Sequence, residues 1–95
     1  MTVYGEQHLI DFARKHAGAR KPIARFLALV KGAQWKHAEE MKQTLPSVDY
    51  AAETKTAIFD LGGNKYRVFA RVNFAEQALR ILEALTHEQY DRRKL

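Results

Sequence analysis

His87 and Tyr90 lie three residues apart near the end of the chain, and Lys65, Arg67 and Arg71 alternate within a short run before them. On a helical turn, residues three apart share a face. Histidine gains and loses a proton near neutrality, which suits a general acid or base. A tyrosine hydroxyl needs neighbouring cations before it can serve as a base. Lys65, Arg67 and Arg71 would stand in a row on one strand face, at intervals of ~6–7 Å. That step is comparable with the separation of phosphates along single-stranded RNA. Arginine can grip a phosphate with two donors and offset the charge that develops during phosphoryl transfer. Phe69, in the same row, can stack on a base. RNA cleavage through the neighbouring 2′-hydroxyl needs a base, an acid and cations at the phosphate, and these residue types supply all three. The same residues also admit a plainer reading. The row is then a solvated outer sheet face kept charged against aggregation, Tyr90 packs on the core, and His87 caps the chain end.

Two kinds of element must position these groups. The first half of the chain has helical periodicity. Leu9, Phe12, Ala13 and His16 recur at helical spacing over residues 6–16, with Gly18 as a stop. Pro22 sits near the start of a second helix, whose apolar face is Ile23, Phe26, Leu27 and Val30. Gly32 interrupts. Trp35, Ala38, Met41 and Leu45 mark a third helical face, ended by Pro46. The second half switches to period two. Thr56 to Leu61 reads as a strand, and Gly62-Gly63-Asn64 as a hairpin turn that tolerates positive φ. Lys65 to Val72 alternates Lys65, Arg67, Phe69 and Arg71 with Tyr66, Val68, Ala70 and Val72. Asn73 to Gln77 form the next turn. Leu79 to Leu85 are apolar on both faces, as in an interior strand. Thr86 caps a short final helical turn with Glu88 and Gln89 behind it. Thr2 to Tyr4 suit a short edge strand. Helices followed by strands predict an α+β fold.

A chain of 95 residues makes one domain, residues 1–95, and its 46% apolar content is enough for a true core. The net charge of +5 concentrates anionic partners near the surface, nucleic acid first among them. Arg20, Lys21, Arg25, Lys31 and Lys36 either extend such a surface or solvate helices. The absence of cysteine excludes disulfides, thiol catalysis and Cys-ligated zinc. His8, His16 and His37 have no partners at metal-ligand spacing, so no metal site is expected. Glu39 and Glu40 read as a solvated helix face. No apolar run approaches the ~20 residues that span a bilayer, and the first residues lack a secretory pattern. A cytoplasmic protein without a membrane partner is therefore expected.

Three stretches together resemble the HigB family of toxin–antitoxin endoribonucleases, within the RelE/ParE-like superfamily. They are Ala33-Gln34-Trp35-Lys36, then Ile58-Phe59-Asp60-Leu61-Gly62-Gly63-Asn64-Lys65-Tyr66-Arg67-Val68, then Thr86-His87-Glu88-Gln89-Tyr90-Asp91. The resemblance runs from about Leu9 to Asp91. It implies a RelE-like fold with N-terminal helices on a small antiparallel sheet, and a cofactor-free, metal-independent ribonuclease that cuts mRNA on the translating ribosome. The implied products are a 2′,3′-cyclic phosphate and a 5′-hydroxyl. The implied partner is a helix-turn-helix antitoxin that joins the otherwise monomeric toxin in a hetero-oligomer. Carried over by position, Lys65, Arg67 and Arg71 hold the scissile phosphate, His87 is base or acid, Tyr90 assists, and Asp91 orients His87 or Arg67. Lys31, Lys36, Asn64, Phe69 and Arg80 are the implied RNA contacts. Asp60 stands where the family often has Asn, Leu82 where a basic residue is common, and Leu85 where a small residue is frequent. Two other functions fit the same residues: a non-enzymatic toxin of the ParE type that binds gyrase, and a plain RNA-binding module.

Overall fold

The computed structural model describes residues 1–94, with side chains to residue 92. The elements run β1 (Thr2–Tyr4), α1 (Glu6–Lys15), a 3₁₀ turn (Ala17–Ala19), α2 (Arg20–Gly32), α3 (Ala38–Thr44), β2 (Asp49–Ala51), β3 (Thr56–Leu61), β4 (Tyr66–Asn73), β5 (Ala78–Thr86) and α4 (His87–Lys94). The strands form one sheet in the order β1-β5-β4-β3-β2. All pairs are antiparallel except β1 with β5. The α+β expectation holds, and the sheet is mixed by that one parallel edge.

The periodicities explain which face is covered. Leu9 on α1 and Ile23, Phe26 and Val30 on α2 are buried, as their helical spacing requires. They meet Ala57, Phe59 and Leu61 of β3 and Val68, Ala70 and Val72 of β4, all buried. The rings of Phe26 and Phe59 lie 4.9 Å apart across this layer. Gly5 starts α1 at φ 79°, where a β-carbon would sit 2.8 Å from the carbonyl oxygen of Ile81. At the other end of α2, the Met1 ammonium donates to the carbonyl oxygens of Val30 at 3.0 Å and Ala33 at 2.6 Å. This cation satisfies carbonyls that the helix leaves without intrahelical partners.

Four details depart from the sequence reading. Trp35 is buried but precedes α3, which begins at Ala38. Its indole nitrogen donates to the Thr44 hydroxyl at 3.1 Å, so it packs on the helix without being part of it. Strand β2 was not expected, because three residues are too few to display a period. The last helix has eight residues, where a single turn was expected. Finally, β5 carries a bulge. Phe69 pairs with Glu83 and Ala70 with Ile81, so Leu82 has no cross-strand partner. The extra residue shifts the parity of the strand. Leu79, Ile81 and Ala84 all reach the helix-covered face despite their uneven spacing. The apolar character of β5 on both faces is this shift, in a strand that is interior as expected.

The opposite sheet face stays open except where α4 folds back over it. Arg67, Phe69 and Arg71 of β4 point there, alternating with the buried Val68, Ala70 and Val72. The period-two reading of this strand holds, although Lys65 lies in the turn just before it.

Candidate active site

The β3–β4 hairpin builds one half of the site. Gly62, Gly63 and Asn64 take φ values of 63°, 60° and 84° in succession. Glycine adopts this left-handed backbone without a β-carbon clash, and Asn tolerates it. The turn brings Asp60 directly opposite Arg67. Arg67 Nε lies 2.8 Å from Asp60 Oδ1. Arg67 Nη2 donates to Asn64 Oδ1 at 2.6 Å, and Nη1 to the carbonyl oxygens of Asn64 at 3.2 Å and Tyr66 at 3.4 Å. Only 8% of Arg67 is exposed. A guanidinium this buried needs a carboxylate and further acceptors, and here it has Asp60, the Asn64 side chain and two carbonyl oxygens.

Helix α4 builds the other half. Thr86 and Gln89 form a reciprocal cap. The Gln89 N–H donates to the Thr86 hydroxyl at 3.1 Å, and the Thr86 N–H to the Gln89 side-chain oxygen at 2.9 Å. The Thr-x-x-Gln pattern starts a helix by satisfying two otherwise orphaned N–H groups. The first residue of that helix is His87, whose N–H donates to the Lys65 carbonyl oxygen at 2.8 Å. One turn further on, Asp91 Oδ2 is 3.1 Å from His87 Nε2. Both side chains are about half exposed, so their pairing contributes little stability. The Tyr90 ring packs inward. Its centroid is 5.1 Å from the Arg67 guanidinium carbon and 5.9 Å from the Phe69 ring.

Of the residues singled out from sequence, the structure gathers His87, Tyr90, Asp91, Lys65, Arg67, Asn64 and Phe69 at this end of the open face. Asp91 pairs with His87, one of its two expected partners. Other relationships differ from the expectation in three ways. Asn64 and Asp60 hold Arg67. Arg71 does not share the site. It lies four residues along β4 from Arg67, ~13 Å away at strand rise, and stands opposite Arg80. Lys31 and Lys36 line a separate cavity of about 710 Å³ beside Met1 and Gln77. Asp60 was missed as a partner of Arg67. The turn read from sequence, residues 62–64, pairs 60 with 66, whereas the observed four-residue turn over 62–65 pairs 60 with 67. Among the described residues, no three His, Cys, Asp or Glu side chains could hold a metal, and no helix is long and apolar enough to cross a membrane.

Helices on one face of an open, mostly antiparallel sheet, with His87, Tyr90 and cationic residues toward the far face, fit the class of RelE-like toxins. Comparison with known proteins narrows the class. The profile of the HigB_toxin family, described as the RelE-like toxic component of a toxin–antitoxin system, matches residues 19–93. The mRNA interferase toxin HigB of Escherichia coli K12 is 30% identical over 92 residues, which cover 96% of this chain and 88% of that protein. The mRNA interferase HigB of Shigella flexneri matches with the same identity and coverage. A further mRNA interferase HigB, from Escherichia coli O6:H1, is 27% identical over 97% of this chain and 90% of its own length. The chain belongs to the HigB toxin family.

Proposed function

We propose that this chain is the toxin of a toxin–antitoxin pair and an endoribonuclease that cleaves mRNA in the cytoplasm, on the translating ribosome. The observation that carries the reading is the convergence of His87, Tyr90 and Lys65 at one end of the open sheet face. The names of the relatives as mRNA interferases support the substrate class.

In this reading the RNA crosses the open face with its scissile phosphate beside Lys65. The 2′-hydroxyl oxygen attacks phosphorus and the bond to the 5′-oxygen breaks. One of His87 and Tyr90 removes the 2′-hydroxyl proton, and the other delivers a proton to the departing 5′-oxygen. The products are a 2′,3′-cyclic phosphate and a 5′-hydroxyl. Asp91 engages Nε2 of His87, which leaves Nδ1 to exchange the proton. Lys65 offsets the charge on the phosphate. Arg67 keeps a cation against the Tyr90 ring and fixes the ring's position. A helix-turn-helix antitoxin is the partner, holding the toxin in an inactive hetero-oligomer.

The test is induced expression of wild type and His87→Ala with primer extension on a reporter mRNA. Discrete cuts within translated codons, lost in the variant, are expected. Growth arrest without cuts would overturn the ribonuclease reading.

A further inference from the structure

The open face has a second cationic end that the cleavage chemistry does not use. At the far end of β4, a cavity of about 520 Å³ is lined by Lys55, Arg71, Arg80 and Tyr4, with Glu76 as the one carboxylate. Arg71 and Arg80 are direct cross-strand partners. Like charges placed opposite each other destabilise a sheet, and a carboxylate on either strand would ordinarily relieve this. Here none does: among the described residues, no ion pair involves Lys55, Arg71 or Arg80. The Arg80 guanidinium carbon sits 5.5 Å from the centroid of the half-exposed Tyr4 ring, which holds its planar fork in one orientation.

Lys55 reaches this corner through an uncommon backbone. Its φ is 57°, left-handed for a residue with a full side chain, and its carbonyl oxygen accepts the Val72 N–H at 2.8 Å. Such conformations cost energy and persist where the surroundings over-determine them. The result is three cations against one carboxylate, beside an exposed aromatic ring.

We propose that Lys55, Arg71, Arg80 and Tyr4 form a second RNA-binding site, which takes the backbone phosphate of a nucleotide about three positions from the cleaved one. The ~20 Å at strand rise from Lys65 to Arg71 corresponds to about three nucleotides of extended single strand. Arg71 and Arg80 offer the donors for a phosphate, Lys55 adds charge, and Tyr4 offers a face on which a base stacks. Phe69 lies between the two ends on the same face, with Glu83 as its cross-strand partner. The inference rests on the ribonuclease reading and deepens it. Arg71 becomes a substrate-holding residue, outside the catalytic group.

The test uses the His87→Ala protein, so that RNA stays intact, and fluorescent oligouridylates of three and seven nucleotides. Binding is read by anisotropy over a range of potassium chloride. The heptamer should bind more tightly than the trimer and with a steeper dependence on salt. Lys55→Gln and Arg80→Gln should each flatten the heptamer's slope of log K against log salt by about 0.7, the value for one single-strand phosphate contact. The same term reduces heptamer affinity about five-fold near 0.1 M salt, and most of the heptamer's advantage over the trimer goes with it. An advantage unchanged in both variants would overturn the proposal. So would failure of both oligonucleotides to bind, whereas the ribonuclease reading falls only if primer extension yields no cuts. Weakened binding of hexaglutamate with RNA binding intact would assign the corner to an acidic protein segment and also overturn it.

Discussion

The backbone N–H of His87 donates to the carbonyl oxygen of Lys65 at 2.8 Å. This bond joins the first residue of α4 to the last residue of the hairpin turn. It sets the position of the imidazole relative to the lysine through main-chain geometry alone, so neither side chain is needed to hold the other in place.

Removing either side chain should therefore cost activity and leave the fold. His87 and Lys65 are both exposed, and surface substitutions usually change stability by about 0.5 kcal/mol or less. His87→Ala should lower cleavage by about 10²–10⁴-fold, the range for a lost acid or base. Lys65→Ala should lower it through the phosphate, with an unchanged melting temperature. Melting curves beside single-turnover cleavage separate the two effects. A loss of activity that tracked a loss of stability would remove both residues from the chemistry.

Asp60 offers a sharper experiment, because it sets how much of the Arg67 charge the site presents. The pair is mostly buried, at 10% and 27% side-chain exposure. Asp60→Ala strips Arg67 of its carboxylate and should cost about 1.5–3 kcal/mol, the scale of a hydrogen bond to a charged group. Asp60→Asn keeps an acceptor for Nε and removes the negative charge. It should bind RNA more tightly at low salt, with a steeper salt dependence, at a smaller stability cost. Anisotropy titrations of the two variants check this. Equal RNA affinity in wild type and Asp60→Asn would mean that the Arg67 charge does not reach the substrate.

Much of this arrangement was legible before the fold was known, and the limits have physical causes. The β3–β4 hairpin follows from alternation plus three residues that tolerate positive φ, and the α4 cap follows from Thr86 and Gln89 three apart. These signals are local, so sequence carries them. The parallel pairing of β1 with β5 joins residues 2–4 to 78–80, and no local pattern specifies such a partner. Tyr4 meets Arg80 only because of it. Lys55 reaches the same corner through a left-handed backbone that its residue type does not announce. The bulge at Leu82 hides behind an apolar run that satisfies either parity. Even spacing made Lys65, Arg67 and Arg71 read as one row, whereas burial and partners divide them between an anchored arginine and two separate ends of the face.

The reciprocal cap at the start of α4 should matter for activity more than its energy suggests. Thr86→Ala removes one side of it, at about 1 kcal/mol. Helix α4 is the last element and carries His87, Tyr90 and Asp91, so that cost falls on local opening more than on global unfolding. Hydrogen exchange should show faster amide exchange confined to residues 87–92, with cleavage reduced several-fold. Thr86→Ser keeps the hydroxyl and should restore both. Exchange that quickened equally across β3 and β4 would show that the cap supports the whole domain.

Tyr90 combines packing and chemistry, and two substitutions separate them. Its ring lies against Phe69 and under Arg67, while its hydroxyl is the proposed partner of His87. Tyr90→Phe keeps both ring contacts and should lower the melting temperature less than Tyr90→Ala does, where a 1 kcal/mol change moves a domain of this size by about 4–8 °C. If the hydroxyl transfers a proton, cleavage should still fall by about 10²-fold or more. Tyr90→Ala should lose the aromatic and cation–π contacts as well, at about 1–2 kcal/mol, and loosen α4 from the sheet. If Tyr90→Phe cleaves as wild type while Tyr90→Ala does not, Tyr90 is a positioning residue. The second proton must then pass between water and the substrate, with His87 as the one protein group in the transfer.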